Sequence, residues 1–249
     1  MSEILTSPRP SRFGRALGFR VVSSGSAVPQ RVVTNADLGH LGCDPEWILS
    51  RSGIQERRHV DPGMATSDLA VQAAERALAA CPNRRKEVDL LVLGTFTPDT
   101  SLPSTACIVQ EKLGLNAPAM DVTAACAGFA YALVTAGQFL ATGSSNLAMV
   151  IGVDTNSRVV NPADVKTWPL FGDGAGAVVL EGQNSNGTKE DRGILSVDLN
   201  SDGSYRDILY VDGGVSQKTT GYLRMEGKEV FKHAVDKLAK TSEKAMEKA

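Results

Sequence analysis

Short apolar runs alternate with amphipathic segments along most of this sequence. The run at 88–96 is almost continuously hydrophobic and ends in polar residues, which predicts a strand covered on both faces. Further strands are predicted at 19–24, 120–123, 147–154, 174–180 and 193–200. Apolar residues at helical spacing predict helices at 66–80, 104–113, 128–142 and from 229 onward. Strands and helices that alternate in this way are typical of βαβ units, so we expect a layered α/β fold with a largely parallel sheet.

A short helix is predicted near residue 45 by its end signals. Residues 44–46 are Asp-Pro-Glu, which suits an N-cap followed by a first helical turn, and Gly53 suits a C-terminal stop. Trp47 and Arg51 would then lie one turn apart on the same face of this helix.

The polar, turn-rich stretch at 184–192 is the predicted boundary between two halves. Residues 18–183 would form the first half and 193–249 the start of a second half. Residues 1–17 are rich in arginine, as in a targeting segment, but Glu3 and two prolines argue against an amphipathic targeting helix, so we expect a disordered lead-in. The last predicted helix has no glycine or proline stop, and we therefore expect a fragment or a truncated product.

Composition narrows the functional classes. The 26 basic and 28 acidic residues give a net charge of −2, which excludes a globally basic nucleic-acid binder. No apolar stretch approaches the ~20 residues that span a bilayer, so no membrane partner is expected. The four cysteines form no CxxC pair and, with only three histidines, predict neither a metal site nor a disulfide framework. A reducing, cytoplasmic location is the simpler interpretation.

Cys126 is the most informative residue of the chain. A predicted strand leads into it, small residues surround it, and a predicted helix begins directly afterwards. The free N–H groups of a helix N-terminus favour a thiolate, and the small neighbours leave room for an acyl group. A thiolate in this setting can attack a thioester carbonyl. From the residues alone, a small buried core cysteine is the alternative.

Several motifs together resemble the ketoacyl-acyl-carrier-protein synthase III family of the thiolase superfamily. The stretch at 121–133 reads D-V-x-A-A-C-A-G-F-x-Y-A-L, and it is joined in matching order by the motifs at 26–29, 47–54, 171–177 and 200–205. The resemblance extends from about Gly18 to the last residue. It implies a thiolase-like layered αβαβα fold whose second half is incomplete here.

The resemblance also implies roles for individual residues. Cys126 matches the cysteine that the family acylates from acetyl-CoA or another short acyl-CoA before condensation with malonyl-acyl carrier protein. The positions that match CoA-binding residues are Trp47, Arg51, Arg158, Met225, Gly227 and Val230. Lys232 matches a basic residue that docks acidic acyl carrier protein, and Leu102 matches a residue that enters the partner's acyl pocket in a homodimer. No metal or tightly held cofactor is implied, because the CoA thioester is a substrate.

The sequence also departs from the family. The family's histidine and asparagine, the former in a Pro-His-Gln-Ala-Asn setting, have no counterpart in these 249 residues, and neither does a glycine-rich oxyanion segment. His233 lies in Phe-Lys-His-Ala-Val and is interpreted as a surface or packing residue. The glycines at 172–176 lack phosphate-loop spacing and are interpreted as allowing close backbone approach near the active site.

Two other functions therefore stay open at this stage. One is a different acyltransferase on the same fold, such as a hydroxymethylglutaryl-CoA synthase or an enzyme of secondary metabolism. The other is a non-catalytic subunit that binds CoA or a partner without turnover.

Overall fold

The computed structural model describes residues 18–183 and 193–248. The strands are β1 (Phe19–Ala27), β2 (Arg31–Thr34), β3 (Glu56–His59), β4 (Leu90–Gly94), β5 (Ala119–Val122), β6 (Leu147–Thr155), β7 (Asp173–Gly182), β8 (Leu209–Gly214) and β9 (Thr219–Met225). The helices are α1 (Pro45–Ser52), α2 (Thr66–Ala80), α3 (Thr105–Lys112), α4 (Gly128–Ala141) and α5 (Gly227–Lys248). The predicted lead-in at 1–17 and the predicted boundary at 184–192 lie outside the described residues.

The central sheet has the strand order β1-β7-β6-β4-β5. The β4 strand runs parallel to both β5 and β6, whereas β7 is antiparallel to β6 and to β1. The prediction of a largely parallel sheet was therefore wrong for the β1–β7 side. Only two short 3₁₀ turns and no α-helix separate β6 from β7 along the chain, and the return without an α-helical crossover makes this pairing antiparallel.

Helices cover both faces of this sheet, which explains the unbroken apolar runs of its central strands. In β4, Leu91 and Leu93 pack into the core beneath α2 and α3, while Leu90 and Val92 pack into the core beneath α4. Because successive side chains of a strand point to opposite faces, every position of a doubly covered strand has to be apolar. The sheet and its helices thus form the layered α/β arrangement that the sequence predicted.

The segment at 193–200 was predicted to be a strand, and this was wrong. Its backbone makes one long hydrogen bond to the sheet, from Ile194 N–H to the carbonyl of Phe19 at 3.5 Å. Ile194 and Val197 nevertheless pack against the core beneath α4. Burial of alternate residues resembles a strand pattern, but a strand also requires a hydrogen-bonded ladder, which this segment lacks.

Two small two-stranded sheets were not predicted. β2 pairs with β3, and β8 pairs with β9, both in antiparallel register. The β3 strand reads Glu-Arg-Arg-His, which carries no apolar signal. Its strand conformation follows from tertiary contacts, since the Arg57 guanidinium is buried and donates to the carbonyls of Val33 and Pro169 at 3.2 and 2.8 Å.

The predicted capping of α1 is confirmed. The Asp44 carboxylate accepts from the backbone N–H of Glu46 at 3.2 Å, and Gly53 ends the helix with a φ of 72°. This left-handed conformation is easily reached only by glycine. Ile48 anchors the helix on the small core around Val33 and Leu38.

Candidate active site

The chain reverses direction sharply at Cys126. β5 ends at Val122, a single 3₁₀ turn spans Ala125–Ala127, and α4 begins at Gly128. Ala125 has a φ of 45°, a left-handed conformation that costs energy for a residue with a Cβ. A strained residue directly before a nucleophile, at a strand-to-helix turn, lifts the side chain out of the packed layers. The Cys126 side chain is accordingly exposed.

Gly94 and Gly128 hold the start of α4 against the end of β4. A Cβ placed on Gly94 would lie 2.5 Å from both the carbonyl carbon and the carbonyl oxygen of Gly128. Contacts of this length do not occur, so only glycine at position 94 permits the approach. The position of the Cys126 turn is thus determined by direct backbone packing on the sheet.

Cys126 faces a cavity of about 660 Å³ at the end of the central sheet. Glycines contribute much of its wall, namely Gly25, Gly94, Gly128, Gly152, Gly174 and Gly176. The larger lining side chains include Phe129, Asp154 and Asn156. A volume of this size lies within the range of small-molecule sites, and its small-residue walls leave space beside the sulfur.

The first turn of α4 provides hydrogen-bond donors next to the sulfur. Ala127 occupies the N-cap position and has no side chain that could accept from the first N–H groups of the helix. The Gly128 N–H already donates to the carbonyl of Ala125, so only the N–H groups after it in this turn can serve an oxyanion that develops on a thioester carbonyl beside Cys126. The arrangement suits nucleophilic acyl transfer.

Asp121, which opens the motif, has a structural role. Its carboxylate accepts from the backbone N–H groups of Thr105 and Ala106 at 2.8 and 2.7 Å. The negative charge lies at the N-terminus of α3, where it is favourable, and it ties α3 to β5.

The predicted CoA-binding residues of α1 lie on the protein surface. Trp47 is 52% exposed, and Arg51 is exposed one turn later. An indole with this exposure has a free flat face that a purine could stack on. Neither residue lines the Cys126 cavity.

Arg158 lies in the 3₁₀ turn after β6 and is already engaged. Its Nη2 donates to the carbonyls of Asp61 and Met64 at 2.7 and 3.2 Å, so its guanidinium clamps the loop before α2. Asn156, two residues earlier, lines the Cys126 cavity. Arg158 therefore stabilises the 61–64 loop, a structural role that was not predicted alongside its predicted role in CoA binding.

Met225, Gly227 and Val230 cluster where β9 passes into α5. A backbone hydrogen bond of 2.8 Å from Leu223 to Val159 attaches β9 to the turn that carries Arg158. These predicted residues thus lie on adjoining segments, but none of them lines the described cavity.

Two further predicted positions are exposed. Leu102, in the loop before α3, is 87% exposed, and Lys232 is exposed on α5. His233 stacks on Tyr205 with ring centroids 4.2 Å apart, in agreement with its interpretation as a packing residue. Gly174 and Gly176 lie in β7 and line the cavity. A Cβ on Gly176 would meet no atom within 4 Å and one on Gly174 none nearer than 3.9 Å, so the interpretation that these glycines allow close backbone approach was wrong for both.

The site contains three residues that were not predicted from the sequence, namely Asp154, Asn156 and Phe129. A signal for Asp154 was present, since it is the polar residue that ends the apolar run at 147–153. Polar residues at the end of a buried strand often face a site at that edge of the sheet. Phe129 and Asn156 carry no comparable signal, because their positions depend on how α4 and β6 pack.

Comparison with known proteins gives a consistent result. The sequence model of the 3-oxoacyl-[acyl-carrier-protein] synthase III family matches residues 120–203, which include Cys126 and its turn. The beta-ketoacyl-[acyl-carrier-protein] synthase III of Ruegeria pomeroyi is 52% identical over 238 residues, which cover 95% of this chain and 73% of the relative. The chain belongs to this family. Its members are condensing acyltransferases that initiate fatty-acid synthesis.

Solved structures of synthase III enzymes share the fold. The enzyme from Pseudomonas aeruginosa superimposes with a TM-score of 0.84 at 38% identity, covering 93% of this chain and 71% of that one. The enzyme from Aquifex aeolicus gives a TM-score of 0.82 at 38% identity, covering 93% and 72%. The predicted thiolase-like α/β fold is thereby confirmed.

Residues 18–183 and 193–248 contain no group of His, Cys, Asp and Glu arranged to hold a metal ion. Over the same part of the chain, no helix is both long and apolar enough to cross a membrane.

Proposed function

We propose that Cys126 takes an acetyl or another short acyl group from acyl-CoA and carries it for condensation with malonyl-acyl carrier protein. The observation that supports this proposal is the exposed sulfur of Cys126 on a strained turn, facing a cavity of about 660 Å³. A cysteine packed in the core could not meet a thioester. The alternative of a buried core cysteine is therefore abandoned.

In acyl transfer, the Cys126 sulfur replaces the CoA sulfur on the acyl carbon. The Cys126 thiolate attacks the thioester carbon, and the N–H groups at the start of α4 stabilise the oxyanion that forms. The intermediate collapses by breaking the bond between the acyl carbon and the CoA sulfur. CoA leaves as a thiolate and takes up the proton that the cysteine had released.

Condensation then uses the acyl group on Cys126 as the electrophile. Malonyl-acyl carrier protein loses carbon dioxide, and the resulting carbanion attacks the acyl carbon to form the 3-ketoacyl product. The Cys126 thiolate is released and can be acylated again. This chain's own contribution to the step is the placement of the thioester at the cavity wall.

The proposed CoA site consists of Trp47, Arg51, Arg158, Met225, Gly227 and Val230. The exposure of Trp47 and Arg51 supports it, because an indole stacks on a purine and a guanidinium pairs with phosphates. Arg158 would contribute with the guanidinium nitrogens that the clamp on the 61–64 loop leaves available.

Trp47→Ala is expected to weaken acyl-CoA binding without slowing the acyl transfer itself. Loss of one stacking face corresponds to an increase of about tenfold in the half-saturating acetyl-CoA concentration. The saturating rate should stay within about twofold of the wild type, since Trp47 touches no reacting atom. The measurement is the rate of acyl-enzyme formation against acetyl-CoA concentration.

Leu49→Ala is the matched control for this variant. Leu49 lies on the same helix and is 42% exposed, but it is not part of the proposed site. If both variants change the half-saturating concentration equally, the effect belongs to α1 as a whole and Trp47 is not a CoA-binding residue.

The proposed protein partners are acyl carrier protein and a second copy of this chain. The exposed Lys232 offers a positive charge to the acidic carrier protein, although a solvated lysine alone carries little binding energy. Leu102 is almost fully exposed, and such a large apolar side chain is well placed to be buried by a second subunit. Four free cysteines are consistent with the proposed reducing, cytoplasmic location.

The test of this function measures its two steps separately. The purified chain is incubated with radiolabelled acetyl-CoA, and label on Cys126 is quantified before and after addition of malonyl-acyl carrier protein. Label that moves into a 3-ketoacyl product supports the condensing enzyme. Label that stays on Cys126 would instead support the non-catalytic CoA-binding alternative, and no label at all would refute acyl transfer.

A further inference from the structure

Asp154 lies within a network of buried hydroxyl groups directly beneath the Cys126 cavity. The network comprises Thr66, Thr95, Thr97 and Thr155, each of which is almost fully buried. The hydroxyls of Thr66 and Thr155 lie 2.7 Å apart, and Thr66 donates to the carbonyl of Thr97 at 2.6 Å. Hydroxyls buried at this density are hydrogen-bonded to one another and to the backbone, so they form a rigid polar unit.

One oxygen of Asp154 anchors the segment that follows β4. Its Oδ1 accepts from Thr95 Oγ1 at 2.9 Å, from the Phe96 N–H at 2.9 Å and from Thr97 Oγ1 at 3.3 Å. Its Oδ2 accepts from no donor of the described residues, and Asp154 is a lining residue of the cavity. Cys126 is the other titratable side chain among those lining residues.

The partly buried environment of Asp154 disfavours the ionised form of its carboxylate. Burial raises the pKa of Asp154, although hydrogen bonds from Phe96, Thr95 and Thr97 oppose the shift. Among the described residues, no lysine, arginine or histidine forms an ion pair with it. A partly buried carboxylate without a cationic partner stabilises a fold poorly, and such groups concentrate at functional sites.

The anchored segment supports both sides of the Cys126 turn. On the strand side, Thr95 donates its N–H to the carbonyl of Val122 at 3.2 Å, and Thr123 Oγ1 donates to the carbonyl of Thr95 at 3.2 Å. On the helix side, Gly94 is the residue on which Gly128 packs. The position of 94–97 therefore sets the positions of 122–123 and of the start of α4.

We propose that Asp154 is a positioning residue for Cys126, which it holds through the segment at 94–97. The proposal rests on the function of Cys126 as the acylated nucleophile. Asp154 acts by accepting hydrogen bonds and not by its charge. Asparagine keeps one oxygen acceptor in a side chain of the same size, so it should preserve the function of Asp154, whereas alanine should not.

The experiment compares Asp154→Ala and Asp154→Asn with the wild-type chain. For Asp154→Ala, the saturating rate of Cys126 acylation by acetyl-CoA should fall at least about tenfold. The reason is that a displaced turn moves the Cys126 sulfur away from the position from which it can attack the thioester carbon. The half-saturating acetyl-CoA concentration should stay within about twofold, because Asp154 does not bind CoA. Asp154→Asn should recover the rate to within about threefold of the wild type.

Asp89→Ala provides a matched control. Asp89 lies just before β4, at the opposite end of the sheet, and its carboxylate accepts four hydrogen bonds, from Ser145 Oγ, from the N–H and the Nδ2 of Asn146, and from the Leu147 N–H. Asp89→Ala should lower the free energy of unfolding about as much as Asp154→Ala does, and it should leave the rate of Cys126 acylation unchanged. Equal acylation rates in Asp154→Ala and Asp89→Ala, or failure of Asp154→Asn to restore the rate, would overturn the proposal.

Two further measurements keep the test decisive. If Asp154→Ala does not fold, the isosteric Thr95→Val removes one donor to Asp154. The rate of Cys126 acylation should then fall about threefold, and an unchanged rate would overturn the proposal.

The rate at which iodoacetamide alkylates Cys126, followed by peptide mass, is a measurement that requires no CoA. If the wild type is not acylated, slower alkylation in Asp154→Ala than in Asp89→Ala would still support the positioning role, and equal alkylation would refute it.

Discussion

Replacement of Cys126 by serine is expected to abolish acyl transfer from acetyl-CoA. An alcohol is far less nucleophilic than a thiolate at neutral pH, and the described cavity lining offers no histidine to activate it. We expect the rate of acyl-enzyme formation to fall on the order of 10³-fold or more. The measurement is the label retained on the protein after incubation with radiolabelled acetyl-CoA, located by peptide mass.

Cys107→Ser is the control for this experiment. Cys107 is exposed as well, but it lies on α3 and outside the cavity lining, so its loss should leave labelling unchanged. Equal labelling of Cys126→Ser and the wild type would show that Cys126 is not the nucleophile, and the proposed function would fail with it.

Gly94→Ala is expected to damage both stability and acyl transfer. The new Cβ would lie 2.5 Å from backbone atoms of Gly128, which cannot move aside as a flexible side chain could. Overpacking of this kind costs roughly 1–3 kcal/mol of unfolding free energy. The start of α4 also has to shift, and a displacement of about 1 Å at a nucleophile can lower the rate about 10²-fold. Denaturant unfolding and acyl-enzyme formation measure the two effects.

Gly176→Ala tests whether the effect is specific to position 94. Gly176 is also a strand glycine that lines the cavity, but a Cβ on it would meet no atom within 4 Å. Its unfolding free energy should stay within about 0.5 kcal/mol of the wild type. A similar loss of stability in both variants would indicate a general cost of alanine in these strands and would contradict the close-packing argument.

The elements of the central layers were predictable because their signals are local. The apolar runs of β4 and β6, the spacing in α2 and the capping residues around α1 are all contained within a few neighbouring positions. The structure reproduces α2 at its predicted bounds, Thr66–Ala80. The β2–β3 pairing was not predictable in this way, since the buried Arg57 donates to carbonyls that are distant in the chain.

The candidate site was predictable only in part. The motif around Cys126 predicted the residue that the structure places at the cavity, whereas the cavity itself is assembled from the ends of several strands that are far apart in sequence. The binding roles of the predicted CoA-binding residues, of Lys232 and of Leu102 stay predictions. Trp47, Arg51, Lys232 and Leu102 are exposed, as their proposed binding roles require.

The sequence by itself determined the layered α/β architecture and the family, and it singled out Cys126 as the candidate nucleophile, because apolar spacing, caps and a continuous motif are encoded by neighbouring residues. The tertiary structure alone decided the direction of β1 and β7, the conformation of 193–200 and the polar support beneath Cys126. Each of these depends on which backbone groups meet across the sheet. The contact of Asp154 with Thr95–Thr97 joins residues almost sixty positions apart, and no local pattern could reveal it.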